Sequence, residues 1–364
     1  MKHSLLSGLV CALLLALCGC GGGQKPDNSR KTDSAPAFKG DSSELARTVV
    51  VSTLDAPLPQ GNNVVWCASF QIAWDKLNKD VVGEDVKLKN AENFAAQLNA
   101  GQFPADGLEP ESFYAAAGWV KDGIVPKIQK EMQAKFPDVP TPALGYSETV
   151  AVAYAFLKAG LKFATPYFEN RNPLEFKSSA GAGVKVSSFG IRQEDGDAYS
   201  KLREQVDVLM SGENEFALDL DKHSKPYQVI VACVKPKATF KETLAYLDEK
   251  LKVKRAGEFE ISDVFLIPNI NFDIAHRFAE LEGGNRPFLN ARYTGMHIQT
   301  AYQRTQFKLD RSGAEVASEA KLICAAAPQM YIFDKPFLVY LKKRGAEQPF
   351  FVLWVDNPEL LCKW

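Results

Sequence analysis

Between Gly313 and Pro328 the 364-residue chain carries a run whose side-chain order could do chemistry by becoming a strand. From Ala314, one alternating set is Ala314, Val316, Ser318, Ala320, Leu322 and Cys324, all small or apolar. The other is Glu315, Ala317, Glu319, Lys321 and Ile323, largely charged. An extended backbone sends successive side chains to opposite faces, so the first set can meet a core and the second can meet water. An ordinary edge strand would alternate in the same way. A helix also competes, because Glu315 to Leu322 is built of good helix formers. Few residues elsewhere suit catalysis. The four histidines stand at positions 3, 223, 276 and 297. Asp273 and His276, with His297, are the one imaginable catalytic set. Spaced i, i+3 on an expected helix, such a pair is usually solvated or cap-related. There is no Gly-x-Ser-x-Gly element and no glycine-rich phosphate loop. Neither an enzyme, a cofactor nor a metal site is expected.

Lys and Arg number 43 against 44 Asp and Glu, for a net charge of -1. A nucleic-acid binder normally carries a basic excess, so that class has no support. Residues 1–19 read as an export signal, with Lys2 and His3 at the start and an apolar stretch from Leu5 to Leu17. Leu17-Cys18-Gly19-Cys20 resembles a bacterial lipobox. The expected product is cleaved before Cys20 and acylated there, anchored to a bacterial membrane on its periplasmic or outer face. The alternative is a plain secretory signal followed by an unmodified cysteine. The apolar stretch is short of the about 20 residues that a spanning helix needs. Residues 20–41, rich in Gly, Pro, Ser and charge, read as a flexible tether. Residues 42–364 read as one folded domain. Of the cysteines there, Cys67, Cys233, Cys324 and Cys362, an exported protein could bridge some; three full pairings are open, and buried thiols explain them equally well.

Period and propensity set the element expectations. Glu44 to Leu54, Phe70 to Leu77, Glu92 to Leu98, Glu111 to Lys135, Thr239 to Lys250 and Asp273 to Glu280 read as helices. Pro126 should kink or restart the fourth of them. Asn63 to Ser69, Thr149 to Leu157, Val184 to Phe189, Phe216 to Asp219, Tyr227 to Val234, Glu258 to Ile267, Phe307 to Leu309, Phe337 to Leu341 and Phe350 to Val355 read as strands. The class is α+β.

Phe333-Asp334-Lys335-Pro336-Phe337 resembles the serpin motif that follows the reactive loop. Trp354-Val355-Asp356-Asn357-Pro358 is similar to the serpin C-terminal ending. Upstream, Phe307 to Ala317 looks like the strand and hinge that lead into the loop. Asn63 to Trp66, Trp119-Val120 with Pro126 to Ile128, Ala155 to Tyr167, and Val264 to Leu281 fall in the family's order. The resemblance therefore spans roughly residues 60 to 360. It implies mixed sheets with surrounding helices, and a loop that is cleaved by a target protease and then inserts as a new strand of the main sheet. Gly313, Ala314, Glu315, Val316, Ala317 and Ser318 would be the hinge. Cys324, Ala325, Ala326 and Ala327 would flank the scissile bond, with an elastase- or subtilisin-like target and a monomeric inhibitor. The alternative is a non-inhibitory serpin-like binding or structural lipoprotein. Several positions depart from the family. Arg311 replaces an acidic residue before the hinge, and Gln303 and Ala153 replace a histidine and asparagine that normally meet. Phe163 replaces a tryptophan, and Val316 is bulkier than the usual alanine. The loop is shorter than usual, and the deletion after Leu77 implies a narrower main sheet.

Overall fold

Runs of β-branched residues decide the first elements. A computed structural model describes residues 36–101, 103, 104, 107–140, 144, 147, 150–160, 162–181, 183–192, 198–253, 257–312 and 329–364. Strand β1 (Phe38–Asp41) already pairs in parallel with residues 272–275, so the folded unit starts before the expected boundary at position 42. One 3-10 turn, Ser42–Glu44, follows, closed by a capping box between Asp41 and Glu44. Next come β2 (Thr48–Val51) and β3 (Asn63–Cys67), paired in parallel. The helix expected from Glu44 to Leu54 is thus not formed. Thr48 and three successive valines lose side-chain freedom in a helix but fit a pleated edge.

Helices α1 (Ala68–Lys76) and α2 (Glu92–Ala100) follow as their spacing predicts. The single helix expected from Glu111 to Lys135 is instead β4 (Phe113–Trp119) followed by α3 (Ile124–Lys135). Gly123 separates them at φ 80°, a left-handed conformation open to glycine. On β4, Tyr114 and Ala116 join one core while Ala115 and Trp119 join the other, which is strand period. Pro126 lies in the first turn of α3, where its missing N–H has no intrahelical acceptor to lose.

Strand β5 (Val150–Gly160) is the expected long apolar strand. Four short strands come next: β6 (Phe168–Glu169), β7 (Leu174–Lys177), β8 (Gly183–Val186) and β9 (Ser188–Ile191). The single strand expected from Val184 to Phe189 breaks at Ser187, whose backbone bonds Cys362 and Asn269. Helix α4 (Ala198–Gln205) leads to β10 (Asp207–Met210), β11 (Phe216–Asp219) and β12 (Tyr227–Cys233). Helix α5 (Phe240–Val253) leads to β13 (Val264–Pro268). The helix expected from Asp273 to Glu280 is a strand, β14 (Ile270–Arg277), in antiparallel register with β15 (His297–Leu309). Partner hydrogen bonds along its whole length override a helical spacing. The chain closes with β16 (Met330–Ile332), β17 (Phe337–Lys343) and β18 (Phe351–Val355).

The main sheet has the order β1-β14-β15-β5-β4. A seven-stranded sheet runs β10-β11-β12-β17-β18-β3-β2, and a four-stranded sheet runs β16-β13-β9-β6. One core fills the space between the main and seven-stranded sheets, where Phe307 and Phe351 approach to 4.5 Å between ring centroids. A second core lies on the opposite face of the main sheet, where Ile124, Ile128 and Met132 of α3 cover Val152, Tyr154 and Phe156 of β5.

The two C-terminal motifs are structural. Phe333 and Phe337 stack edge-on at 5.4 Å, with Phe216 at 5.0 Å from Phe333. Asn357 donates to the carbonyls of Arg47 (2.7 Å) and Gly61 (3.0 Å) and accepts from Asn63 (3.0 Å) and the Glu359 N–H (3.0 Å). Truncating it strands several buried polar groups at once. Asn357→Ala is expected to lower unfolding stability by about 3 kcal/mol, and a urea midpoint within error of the parent would refute that role.

Candidate functional site

The stretch Gly313 to Pro328 lies outside the described residues. So do the expected hinge (Gly313, Ala314, Glu315, Val316, Ala317, Ser318), the expected scissile region (Cys324, Ala325, Ala326, Ala327) and Cys20. The positions where the chain leaves and rejoins the described fold are fixed. It leaves at the end of β15. There the Arg311 guanidinium donates to the Tyr167 carbonyl (2.9 Å), and the Tyr167 N–H donates to the Arg311 carbonyl (3.1 Å). Arg311 therefore clips the outgoing chain to the segment after Phe163, a use that its residue type alone did not reveal. The buried Phe163 ring meets Tyr167 edge-on at 5.0 Å. The chain returns on a different sheet. The Gln329 N–H donates to the Asp263 carboxylate (2.9 Å), the Val264 N–H donates to the Gln329 carbonyl (3.0 Å), and β16 then runs parallel to β13. Asp263 also accepts from the Glu260 N–H (2.8 Å), so its carboxylate pins both the turn and the returning chain. It had not stood out among 44 acidic residues, because its role depends on a partner 66 positions away.

Beside the exit runs the junction of β5 and β15. The two strands are parallel and directly paired from His297↔Val150 to Lys308↔Gly160, with one irregularity between Ile298 and Thr300. On the inner face the facing pairs include Ala153↔Ala301, both small, and Ala155↔Gln303. Gln303 and Ala153 are thus not opposite one another. The Gln303 amide donates to the Thr305 hydroxyl (3.1 Å), while its buried carbonyl oxygen has no partner among the described residues. Below, the Cys67 sulfur lies 2.9 Å from the Ser69 hydroxyl, and Thr305 also hydrogen-bonds it. Burial pushes the Cys67 thiol up to about 11, which keeps it protonated and inert. Cys67 and Cys233 are buried, unbridged thiols, so neither pairs with the other, and Cys362 is buried as well.

On the outer face, the Arg304 guanidinium meets Asp273 of β14 with two bonds, at 2.7 and 2.6 Å, and Gln306 adds a third at 2.8 Å. Burial by itself would raise the Asp273 carboxyl. The bonds from Arg304 and Gln306 and the Arg304 charge outweigh it, leaving the group below the usual carboxylate range. This disposes of the imagined catalytic set. Asp273 and His276 sit three apart on a strand, hence on opposite faces, and Asp273 is committed to Arg304. The His276 Nδ1 instead lies 2.7 Å from the Ser42 hydroxyl, and burial pushes its imidazole below the ordinary range. Among the described residues no group of three or more His, Cys, Asp or Glu could hold a metal ion, and no helix is long and apolar enough to cross a membrane.

No family model matches the sequence, and no curated protein matches it. Solved structures do. The crystal structure of native protease nexin-1 with heparin aligns with a TM-score of 0.51 at 10% identity, over 82% of this chain and 92% of that one. Serpin48 from the insect Tenebrio molitor aligns at 0.46 and 12% identity, over 81% of this chain and 92% of its own. The likeness to protease nexin-1 shows a serpin-like fold, of mixed sheets with few helices.

The Asp273–Arg304 pair makes a pH-dependent claim. A carboxyl whose folded value is depressed adds stability above its unfolded value, near 3.9, and loses it as pH falls through the folded value. Removing one partner of a buried pair costs about 3 kcal/mol or more. Asp273→Asn is expected to be that much less stable at neutral pH, with the gap to the parent shrinking as pH falls below about 3.9. A gap that stays constant from pH 7 to pH 2 would sink this assignment.

Proposed function

We propose that this chain is a serpin-type inhibitor of serine, and by the same chemistry cysteine, endopeptidases, acting as a suicide substrate through residues 313–332. The observation that carries the proposal is where the loop begins and ends. It leaves one end of the β15 strand at Ser312 and rejoins at Gln329 on another sheet, and β15 is itself paired directly to β5. Sixteen residues, 313–328, bridge those points. Cleaved near Ala325 to Ala327, residues 314–324 could pair between β5 and β15. Ala314, Val316, Ser318, Ala320, Leu322 and Cys324 would then face one side of the sheet. The attacking serine or cysteine belongs to the protease, and strand addition supplies the driving force through main-chain pairing and side-chain burial. The alanines suit an enzyme with a shallow specificity pocket. Acylation of Cys20 would hold the inhibitor on a bacterial membrane at the periplasmic or outer face.

A second reading, a non-inhibitory binding or structural lipoprotein of the same fold, is favoured by Arg311. Its clip to Tyr167 ties the outgoing chain to a neighbouring segment at the point where a hinge would have to swing.

Incubation with elastase- and subtilisin-like proteases separates the two readings. A conjugate that survives denaturing electrophoresis is expected from the parent. Ser318→Arg puts a charge on the face that must be buried, so it is expected to turn the chain into a plain substrate, cleaved without conjugate. If the parent is cleaved at the loop, forms no conjugate and gains no thermal stability, the inhibitory reading is wrong and the second one stands. Metabolic labelling with palmitate is expected to mark the parent and not Cys20→Ser; equal labelling of both would remove the proposed anchor.

A further inference from the structure

On the outer face of the main sheet, the side chains around the β5–β15 junction sort into two bodies. Those of β5 and β4 on that face are tied to α3. Phe156 meets Phe136 edge-on at 4.7 Å, Tyr114 donates to Glu131 of α3 (2.9 Å), and Val152 and Tyr154 pack beneath the helix. Those on β15 are tied the other way. Arg304 and Gln306 both bond Asp273 of β14, and β14 is paired along its length to β15. On the inner face the opposed residues across the junction include the small pair Ala153 and Ala301, which offer little area to hold the strands together.

On the outer face, among the described residues, two side chains of β15 reach across. Arg304 makes one long bond, 3.3 Å, to the Pro140 carbonyl. Tyr302 lies opposite Tyr154 in register, and their rings stack at 5.6 Å between centroids and 6° from parallel. The Tyr154 ring also neighbours Tyr114 at 6.0 Å, so a row of three tyrosines runs over β4, β5 and β15. The buried Tyr154 hydroxyl has no partner among the described residues. The Tyr154–Tyr302 contact is therefore one of ring packing.

We propose that the Tyr154–Tyr302 stack is the latch of this junction, setting how readily β5 and β15 part. The latch deepens the inhibitor reading, in which those strands must separate, but its test does not depend on any protease. Tyr302 is the residue to change, since it is half-buried at the margin of the α3 core, whereas Tyr154 lies within it.

Amide hydrogen exchange on the full chain reads the opening directly. In Tyr302→Ala, the amides of residues 152–158 and 301–307 are expected to exchange at least roughly tenfold faster than in the parent, while those of β17 and β18 keep parent rates. Tyr302→Phe retains the ring and is expected to match the parent. Unchanged exchange at the junction in Tyr302→Ala overturns the latch. So does acceleration spread equally over β17 and β18, which marks general destabilisation, and so does a Tyr302→Phe that opens as fast as the alanine variant. Faster exchange confined to the junction, in a chain that forms no conjugate with proteases, would uphold the latch and defeat the inhibitor reading.

Discussion

The fold turns on one parallel pairing. β5 and β15 lie at the centre of the main sheet and belong to different halves of the molecule: α3 and its apolar underside ride on β5, while β14 and the edge strand β1 ride on β15. A parallel ladder is slightly less stable per residue than an antiparallel one. Here it is supplemented on one side by alanines and on the other by a tyrosine stack. The other neighbours of these strands are antiparallel, through β4 on one side and β14 on the other. A long parallel ladder flanked by antiparallel pairs thus runs down the middle of the sheet.

The chain on either side of residues 313–328 is held by polar bonds. Arg311 and Tyr167 exchange bonds at the exit, and Asp263 receives the Gln329 N–H at the return. These anchors are made by elements far apart in sequence, so the points where the chain leaves at Ser312 and returns at Gln329 are set by the whole scaffold. Arg311 has a double character. It fixes the point at which the chain leaves the described fold, and in the proposed mechanism it is the bond that a swing of the hinge must break.

Parts of this were legible in the sequence. The apolar runs at Asn63 to Cys67, Val150 to Leu157, Tyr227 to Cys233 and Phe351 to Val355 are strands because they are buried on both faces, and continuous apolar β-branched runs announce that environment. The Phe333 to Phe337 and Asn357-Pro358 elements mattered for the reason their residue types suggest: rings that pack and an amide that bonds on all sides. The site was less legible. Asp273 drew notice beside His276, yet its partner is Arg304, 31 positions on. Tyr154 and Tyr302 are unremarkable as single residues and become a pair only through register.

By itself the sequence determined the α+β class, about half of the strands, α1, α2 and α5, and the order of elements that carries the serpin resemblance, because burial and ring packing depend on residue type and short-range spacing. Only the tertiary structure decided that Thr48 to Val51, Phe113 to Trp119 and Ile270 to Arg277 are strands and that residues 38–41 join the main sheet. Each of those stretches has a spacing that a helix could also use, or too little apolar surface to declare itself. What settled them was hydrogen bonding to strands distant in the chain, a free energy that no local window of residues contains.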